Sequence, residues 1–245
     1  MLRLLKLSTS VEHFIGIYGP FQLDGYFAFS NFRYWGDGHN NCFEACIEAC
    51  RGARCFIDVG AHIGLVTLPA SKMLDGSGSV HAFEPGTVNN NFLRRHVQLN
   101  SLDNVFVRNF LVGDQNNFVE FFETDYPNGQ NSAIETSRTR TYASVQRQQI
   151  TLDSYCQVNA IVPDVIKIDV EGSEIAVLMG AVNILKIHKP IIFLSIHPTE
   201  LKATTGGLLG LISLVDDLGY ECFEREGVKA NEFKLAEYIL IHRGA

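Results

Sequence analysis

From residue 55 onward, apolar runs of strand length alternate with segments whose apolar residues recur at helical spacing. CFIDVG predicts a strand and HIGLVTLPASKML a helix, with Pro69 inside the first two turns, where a missing amide donor costs least. SVHAFEP predicts a second strand, TVNNNFLRRHVQLN a helix and VFVRNFLVGD a third strand. The order is then interrupted. NFVEFFET alternates polar and apolar like an extra strand, and residues 125–149 form a polar insertion rich in Ser, Thr, Asn, Gln and Arg. Then follow VIKIDVEG as a strand, SEIAVLMGAVNILKIH as a helix, PIIFLSIH as a strand and GGLLGLISLVDDLG as a helix, before the strands YECFER and EYILIHR. Strands separated by helices imply a parallel sheet covered on both faces, and the last two, joined without a helix, should pair antiparallel. The expected fold class is α/β: an open, seven-stranded, mostly parallel sheet with a C-terminal antiparallel hairpin.

Residues 1–54 read as an N-terminal addition packing on this core, with FAFSNFRYWGDG as a hairpin or an extended aromatic segment. The whole chain, residues 1–245, is expected to form a single domain; no internal repeat is visible. A hydrophobic fraction of 46% and a charged fraction of 19% are those of a soluble globular protein. The formal charge of -7 argues against a nucleic-acid partner, whose affinity would come from lysine and arginine. The opening MLRLLKLSTS lacks the apolar core and cleavage site of a secretory signal, and no apolar run approaches the roughly 18 residues of a membrane span. A cytoplasmic location is the expectation.

The six cysteines, at 42, 46, 50, 55, 156 and 222, include no C-x-x-C pair. Cys42, Cys46 and Cys50 recur on one helical face, where a buried stripe is favoured over a metal or iron–sulfur cluster.

In an open parallel sheet the ligand lies at the carboxyl ends of the strands. Asp58 and Gly60 end the first strand and Gly64 follows; Glu84 ends the second, Asp114 the third, Asp169 and Glu171 the fourth, and His197 the fifth. The turn reads D-x-G-x-x-x-G, where a pyrophosphate site would read G-x-G-x-x-G. A carboxylate there repels phosphate and attracts a cationic group. Glu84 suits the two hydroxyls of a ribose, and Asp114 the exocyclic amine of an adenine. Amino acid, sulfonium, ribose and adenine together describe S-adenosylmethionine. The alternative is that these acids merely cap helices.

FIDVGAHIGLVTL, VHAFEPGTVNNNFLRRHVQLN, LVGD, ITLDSY, VIKIDVEGSEIAVLMGA and PIIFLSIH, in this order, resemble the FkbM family of S-adenosylmethionine-dependent methyltransferases over about residues 55–200. The resemblance implies a Rossmann-like fold. It assigns the methionine part of the cofactor to Asp58, Gly60 and Gly64, with Ala61, His62 and Ile63 between them. Glu84, with Pro85 beside it, would take the ribose, and Asp114, with Gly113, the adenine side. It also implies a small-molecule or glycan acceptor, such as a sugar or secondary metabolite methylated on a hydroxyl. His62 stands where the family commonly has asparagine, and Ser195 where an acid is frequent near the histidine.

Methyl transfer from a sulfonium needs in-line positioning above all, and a base only for a weak nucleophile such as a hydroxyl. Lys167 and Asp169, two apart, project to one face of their strand, and Glu171 lies just past its end. Asp169 is expected to contact the substrate or the methionine amine, with His197 as a base near neutral pH. A second reading gives Asp169, Glu171 and His197 a divalent metal that orients a diol-type acceptor; a third makes Lys167 and Asp169 a structural ion pair. Asp169 thus stands among both the catalytic and the cofactor-binding candidates. The insertion is the expected acceptor lid, its Arg138, Arg140 and Arg147 meeting substrate anions or solvent. Tyr34 and Trp35 would close over the cofactor, stack on a sugar or pack on the core. Competing functions are an NAD-dependent oxidoreductase on the same fold and a non-catalytic domain that works by interaction.

Overall fold

The structure is a computed structural model and describes residues 9–244. Residues 1–8, which carry most of the basic and apolar opening segment, lie outside the described residues. The chain begins with the hairpin β1 (Ser10–Ile15) and β2 (Tyr18–Asp24), followed by helix α1 (Phe43–Ala49). Next come β3 (Cys55–Val59), α2 (Thr67–Met73), β4 (Ser79–Phe83), α3 (Thr87–Leu99) and β5 (Val105–Arg108). The insertion region holds β6 (Leu111–Val112), β7 (Asn117–Glu123) and β8 (Ala143–Ile150), then α4 (Leu152–Asn159). The chain closes with β9 (Val165–Ile168), α5 (Glu174–Met179), α6 (Val182–His188), β10 (Ile191–Ile196), α7 (Pro198–Leu201), α8 (Gly207–Asp217), β11 (Tyr220–Phe223) and β12 (Ala236–His242).

The main sheet has seven strands in the order β11-β12-β10-β9-β3-β4-β5, parallel except for β12, which runs antiparallel to both neighbours. Strand order reverses between β3 and β9, so the crevice at their carboxyl ends is the place for a ligand. Every residue of β3 is buried, as a central strand covered on both faces requires. Alternation then divides its side chains. Cys55, Ile57 and Val59 join Ile166, Ile168, Ile192, Leu194 and Ile196 in a core shared with α4, α5, α6 and α8. Phe56, Val165 and Phe193 face the other way, into a second core with α1, α2, α3 and the β1–β2 hairpin. The N-terminal addition therefore shares a core with the sheet. Its three cysteines are buried there, the thiols of Cys42 and Cys46 pushed up by burial, Cys42 to about 12.

Several boundaries differ from expectation. The segment 61–66 turns before α2 starts, because His62 (φ 51°) and Gly64 (φ 98°) are left-handed; Pro69 is thus the third helical residue, where no amide donor is missed. The predicted 173–188 helix is two, broken where a Cβ on Gly180 would meet the Gly113 carbonyl oxygen at 1.9 Å. Asp153 restarts the second half, accepting hydrogen bonds from the Asn183 and Ile184 amides. The aromatic segment 27–38 is turns, and the hairpin lies upstream of it.

The largest correction concerns the third strand. It stops at Arg108, because Asn109 donates to the Glu84 and Pro85 carbonyls and turns the chain out of the sheet. Leu111–Val112 instead pairs with β8, in a separate three-stranded sheet of order β6-β8-β7. The end of the polar insertion, from Ala143 on, is therefore a strand. Among the described residues no helix is long and apolar enough to cross a membrane.

Candidate active site

The turn after β3 is stitched to both neighbouring strands. The Gly60 and Ala61 amides both donate to the Phe83 carbonyl at 3.0 Å, and the Asp169 amide donates to Val59 at 2.9 Å. Gly60 has φ 84°, and a Cβ there would lie 1.8 Å from the Asp169 carbonyl oxygen. Glycine is thus required twice over, by conformation and by close approach. Gly60→Ala is expected to destabilise the fold by more than ~3 kcal/mol, read as a fall in thermal midpoint; an unchanged midpoint would contradict this packing. His62 occupies the left-handed region that asparagine tolerates, which accounts for the exchange at that position.

Glu84 leaves β4 buried, with Oε2 accepting from the His62 amide and Oε1 from the Gly86 amide, both at 2.8 Å. Burial pushes its carboxyl up to about 7 against the lowering effect of those donors. It borders a cavity whose other wall is apolar: Phe83, Pro85, Phe110, Leu111, Val112 and Phe121. Asn89, Asn128 and Asn131 rim it, so the first half of the insertion covers the opening. A second cavity is bordered by Asp58, Trp35, His39 and Lys167. Both cavities touch Gly60, His62, Gly129, Asp169 and Glu171, so the glycine turn lies between them.

Parity along the strands gathers a polar column under the second cavity. Asp58 pairs in register with Lys167, and Ser195 with Glu237, all on the face opposite the Ile57 and Ile166 core. Thr67 Oγ1 donates to Asp58 Oδ2 at 2.6 Å, while Asp58 Oδ1 is buried without a partner. Lys167 Nζ lies 3.0 Å from Asp169 Oδ2 and 3.8 Å from Glu237 Oε1. Burial opposes charge on Lys167, but Asp169, Glu237 and Asp58 outweigh it and hold its pKa above the ordinary value. Burial likewise opposes charge on Asp169, yet Lys167 and His197 keep its carboxyl at about 2.

His197 is enclosed by carboxylates. Its Nδ1 donates to Glu174 Oε1 at 2.6 Å, and Nε2 lies 3.4 Å from Glu171 Oε1 and 3.6 Å from Asp169 Oδ1. Burial lowers its pKa, but the contacts with Glu171 and Glu174 and the charge of Asp169 prevail and raise it to about 10. The sequence leads one to expect a base near neutral pH here; these neighbours raise the imidazole well above that range. Glu171, at φ 50°, is held in its turn by Arg138, which also reaches Glu200.

Glu237 is buried with neither carboxylate oxygen hydrogen-bonded, and burial, against the pull of Lys167, pushes its carboxyl up to about 7. A raised acid ionises first in the unfolded chain, so its contribution to stability is largest below about pH 4.5 and falls until about pH 7. Glu237→Gln is expected to flatten that part of a stability-versus-pH curve, measured by denaturant unfolding; an unchanged slope would contradict it.

The structure brings Asp58, Gly60, Ala61, His62, Glu84, Pro85, Lys167, Asp169 and Glu171 to the two cavities, with His197 behind them. Ile63, Gly64, Gly113 and Asp114 are elsewhere. Ile63 is buried, its carbonyl accepting from His96, and Gly64 packs on Leu93. Gly113 abuts Gln149, and Asp114 is exposed beyond β6, because the third strand ended early. Arg147 pairs with Glu123 and Arg140 with Glu135, so the insertion's arginines, like Arg138, are engaged within the protein. Trp35 borders the second cavity, whereas Tyr34 is exposed. The sequence reading missed Glu174 and Glu237. Glu174 stood in view in KIDVEGSE, and the parity of EYILIHR against PIIFLSIH would have aligned Glu237 with Ser195.

Comparison with solved structures finds a methyltransferase FkbM from Methylobacillus flagellatus KT, 18% identical, with a TM-score of 0.51 over 78% of this chain and 44% of that one. The chain spans less than half the length of that relative. Looser likenesses include precorrin-6Y C5,15-methyltransferase from Geobacter metallireducens GS-15, 14% identical, TM-score 0.46, over 82% of this chain and 86% of that one. Another is fibrillarin from Aeropyrum pernix with natively bound S-adenosyl-L-methionine, 12% identical, TM-score 0.45, over 79% of this chain and 67% of that one. At such identities the likeness is one of fold. No curated protein matches the chain. A scan against protein-family models matches the methyltransferase FkbM domain over residues 58–222, well over half of the chain and including both cavities' strand ends. The chain belongs to the FkbM methyltransferase domain family.

Proposed function

We propose that this chain is one catalytic unit that binds S-adenosylmethionine and methylates a hydroxyl of a sugar, glycan or secondary metabolite. The observation that carries the reading is the unpartnered, buried Asp58 Oδ1 beside a glycine turn, with buried Glu84 at the next strand end. Those groups fit the cofactor. A buried carboxylate oxygen without a partner is costly and suits a cationic ammonium group. Glu84 accepts from the His62 and Gly86 amides and, at 3.4 Å, from Asn89 Nδ2, and it borders the first cavity, where a ribose would offer hydroxyls. The apolar wall from Phe110 to Val112 suits a base. Asp114, exposed beyond β6, has no part in this proposal.

When bound, S-adenosylmethionine supplies a methyl group on a good sulfonium leaving group. The protein's task is then positioning. Lys167 fixes Asp169, and Asp169 and Glu171 border both cavities, so an acceptor hydroxyl hydrogen-bonded to them from the second cavity would be aimed at the turn between. In that transfer the acceptor oxygen would take the methyl carbon and the carbon–sulfur electron pair would return to sulfur. The hydroxyl proton would leave to a carboxylate or to solvent.

The test is an acceptor screen with isotopically labelled cofactor. A mass gain of one methyl group on an oxygen is the expected result, and transfer confined to amines would overturn the hydroxyl assignment.

A further inference from the structure

One ring nitrogen of His197 has no hydrogen-bond partner. Nδ1 is committed to Glu174, while Nε2 is buried, with the residue 3% exposed, and points at one oxygen each of Asp169 and Glu171 without a hydrogen bond to either. Each carboxylate is held from behind. Lys167 Nζ takes Asp169 Oδ2 at 3.0 Å, and Arg138 takes Glu171 Oε2 at 3.1 Å, which leaves Asp169 Oδ1 and Glu171 Oε1 turned toward Nε2. One ligand atom from each residue lies within 4.8 Å of the others. The 3.4 Å and 3.6 Å separations are close to the ~3 Å edge between ligands that share a cation at ~2.1 Å.

We infer that Asp169 Oδ1, Glu171 Oε1 and His197 Nε2 form a site for one divalent metal ion, which displaces the proton from Nε2 on binding and reaches the second cavity on the side of Asp169 and Glu171, where it takes oxygens of the acceptor. The supporting shell has the arrangement such sites use: a carboxylate on the far nitrogen of the histidine fixes the tautomer, and the outer oxygens of the ligating carboxylates are themselves bound. Two oxygens and one imidazole suit a first-row ion such as Mn2+ better than Ca2+, which favours oxygen alone. With three protein ligands, an octahedral ion keeps room for two adjacent acceptor oxygens, so the acceptor class is a diol or a hydroxy acid. That acceptor role rests on the methyl-transfer reading; cation binding does not.

The experiment adds Mn2+ alone to the full chain, follows binding by electron paramagnetic resonance and measures S-adenosylmethionine binding by calorimetry on the same preparation. One Mn2+ per chain is expected, with an imidazole-nitrogen coupling in the pulsed spectrum. Glu171→Gln, close in volume, should weaken Mn2+ binding at least about tenfold, and Glu174→Gln by about 10- to 100-fold through the histidine. No binding at millimolar Mn2+, or binding without nitrogen coupling, overturns the site whether or not the variants fold. If the cofactor binds and Mn2+ does not, this inference falls and the methyltransferase reading stands. If Mn2+ binds with nitrogen coupling and the cofactor does not, the cation site stands and the methyltransferase reading falls.

Discussion

Asp169→Ala is expected to lower methyl-transfer turnover by at least ~100-fold, with a much smaller change in cofactor affinity. Asp169 alone of the strand-end acids is bound to a buried lysine, faces His197 and borders both cavities. Its removal leaves Lys167 with Glu237 at 3.8 Å as the remaining ion pair and takes one counter-charge from His197. Breaking a buried pair costs ~3 kcal/mol or more, and a loss of that size in the transition state is a factor of ~100 in rate. Because part of the loss falls on stability, Asp169→Asn is the companion variant, since it keeps the side-chain volume. Unchanged turnover in both, with folded protein, would reduce Lys167 and Asp169 to a structural pair.

Asp58→Asn should act on binding instead. Its Oδ2 keeps a hydrogen bond from Thr67, so the loss is confined to the charge that Oδ1 offers the second cavity. A charge-assisted contact of this kind is worth ~1.5–3 kcal/mol, which predicts a ~10- to 100-fold weaker dissociation constant for S-adenosylmethionine. Burial, with Lys167 opposing it, already raises the Asp58 carboxyl, so the fold should tolerate the neutral amide and the free protein should keep its thermal midpoint. Equal affinity in the variant and the parent, by calorimetry, would remove Asp58 from the site.

Strand ends were legible in the sequence because they combine two strong signals, β-branched apolar runs and an abrupt charge. CFIDVG, VHAFEP and VIKIDVEG each show both, and each delivers its acid to the carboxyl edge of the sheet. VFVRNFLVGD carries the same pattern and misleads, because what ends that strand is a tertiary hydrogen bond from Asn109, invisible to local periodicity. Likewise the polar composition of ASVQRQQI conceals a strand, stabilised by pairing with NFVEFFE along its length. Gly180 lies between two helices where the distant Gly113 carbonyl leaves no room for a Cβ, a contact that local pattern does not show.

Within the site, residue types were legible and their states were not. His197 reads as a neutral-pH base until Glu171, Glu174 and Asp169 are placed around it. His62, an anomaly in the sequence, becomes a left-handed turn residue whose amide holds Glu84. Ser195, which departs from the acid expected near the histidine, is paired in register with Glu237, so the neighbouring strand brings a carboxylate to that face.

Methyl transfer by this chain requires that the D-x-G-x-x-x-G turn and Glu84 bind a cationic, adenosine-bearing methyl donor. Calorimetry of the purified chain with S-adenosylmethionine, its demethylated product and NAD in parallel decides whether they do. Saturable one-to-one binding of the first two, with none for NAD, is the predicted result; binding of NAD without S-adenosylmethionine would contradict it.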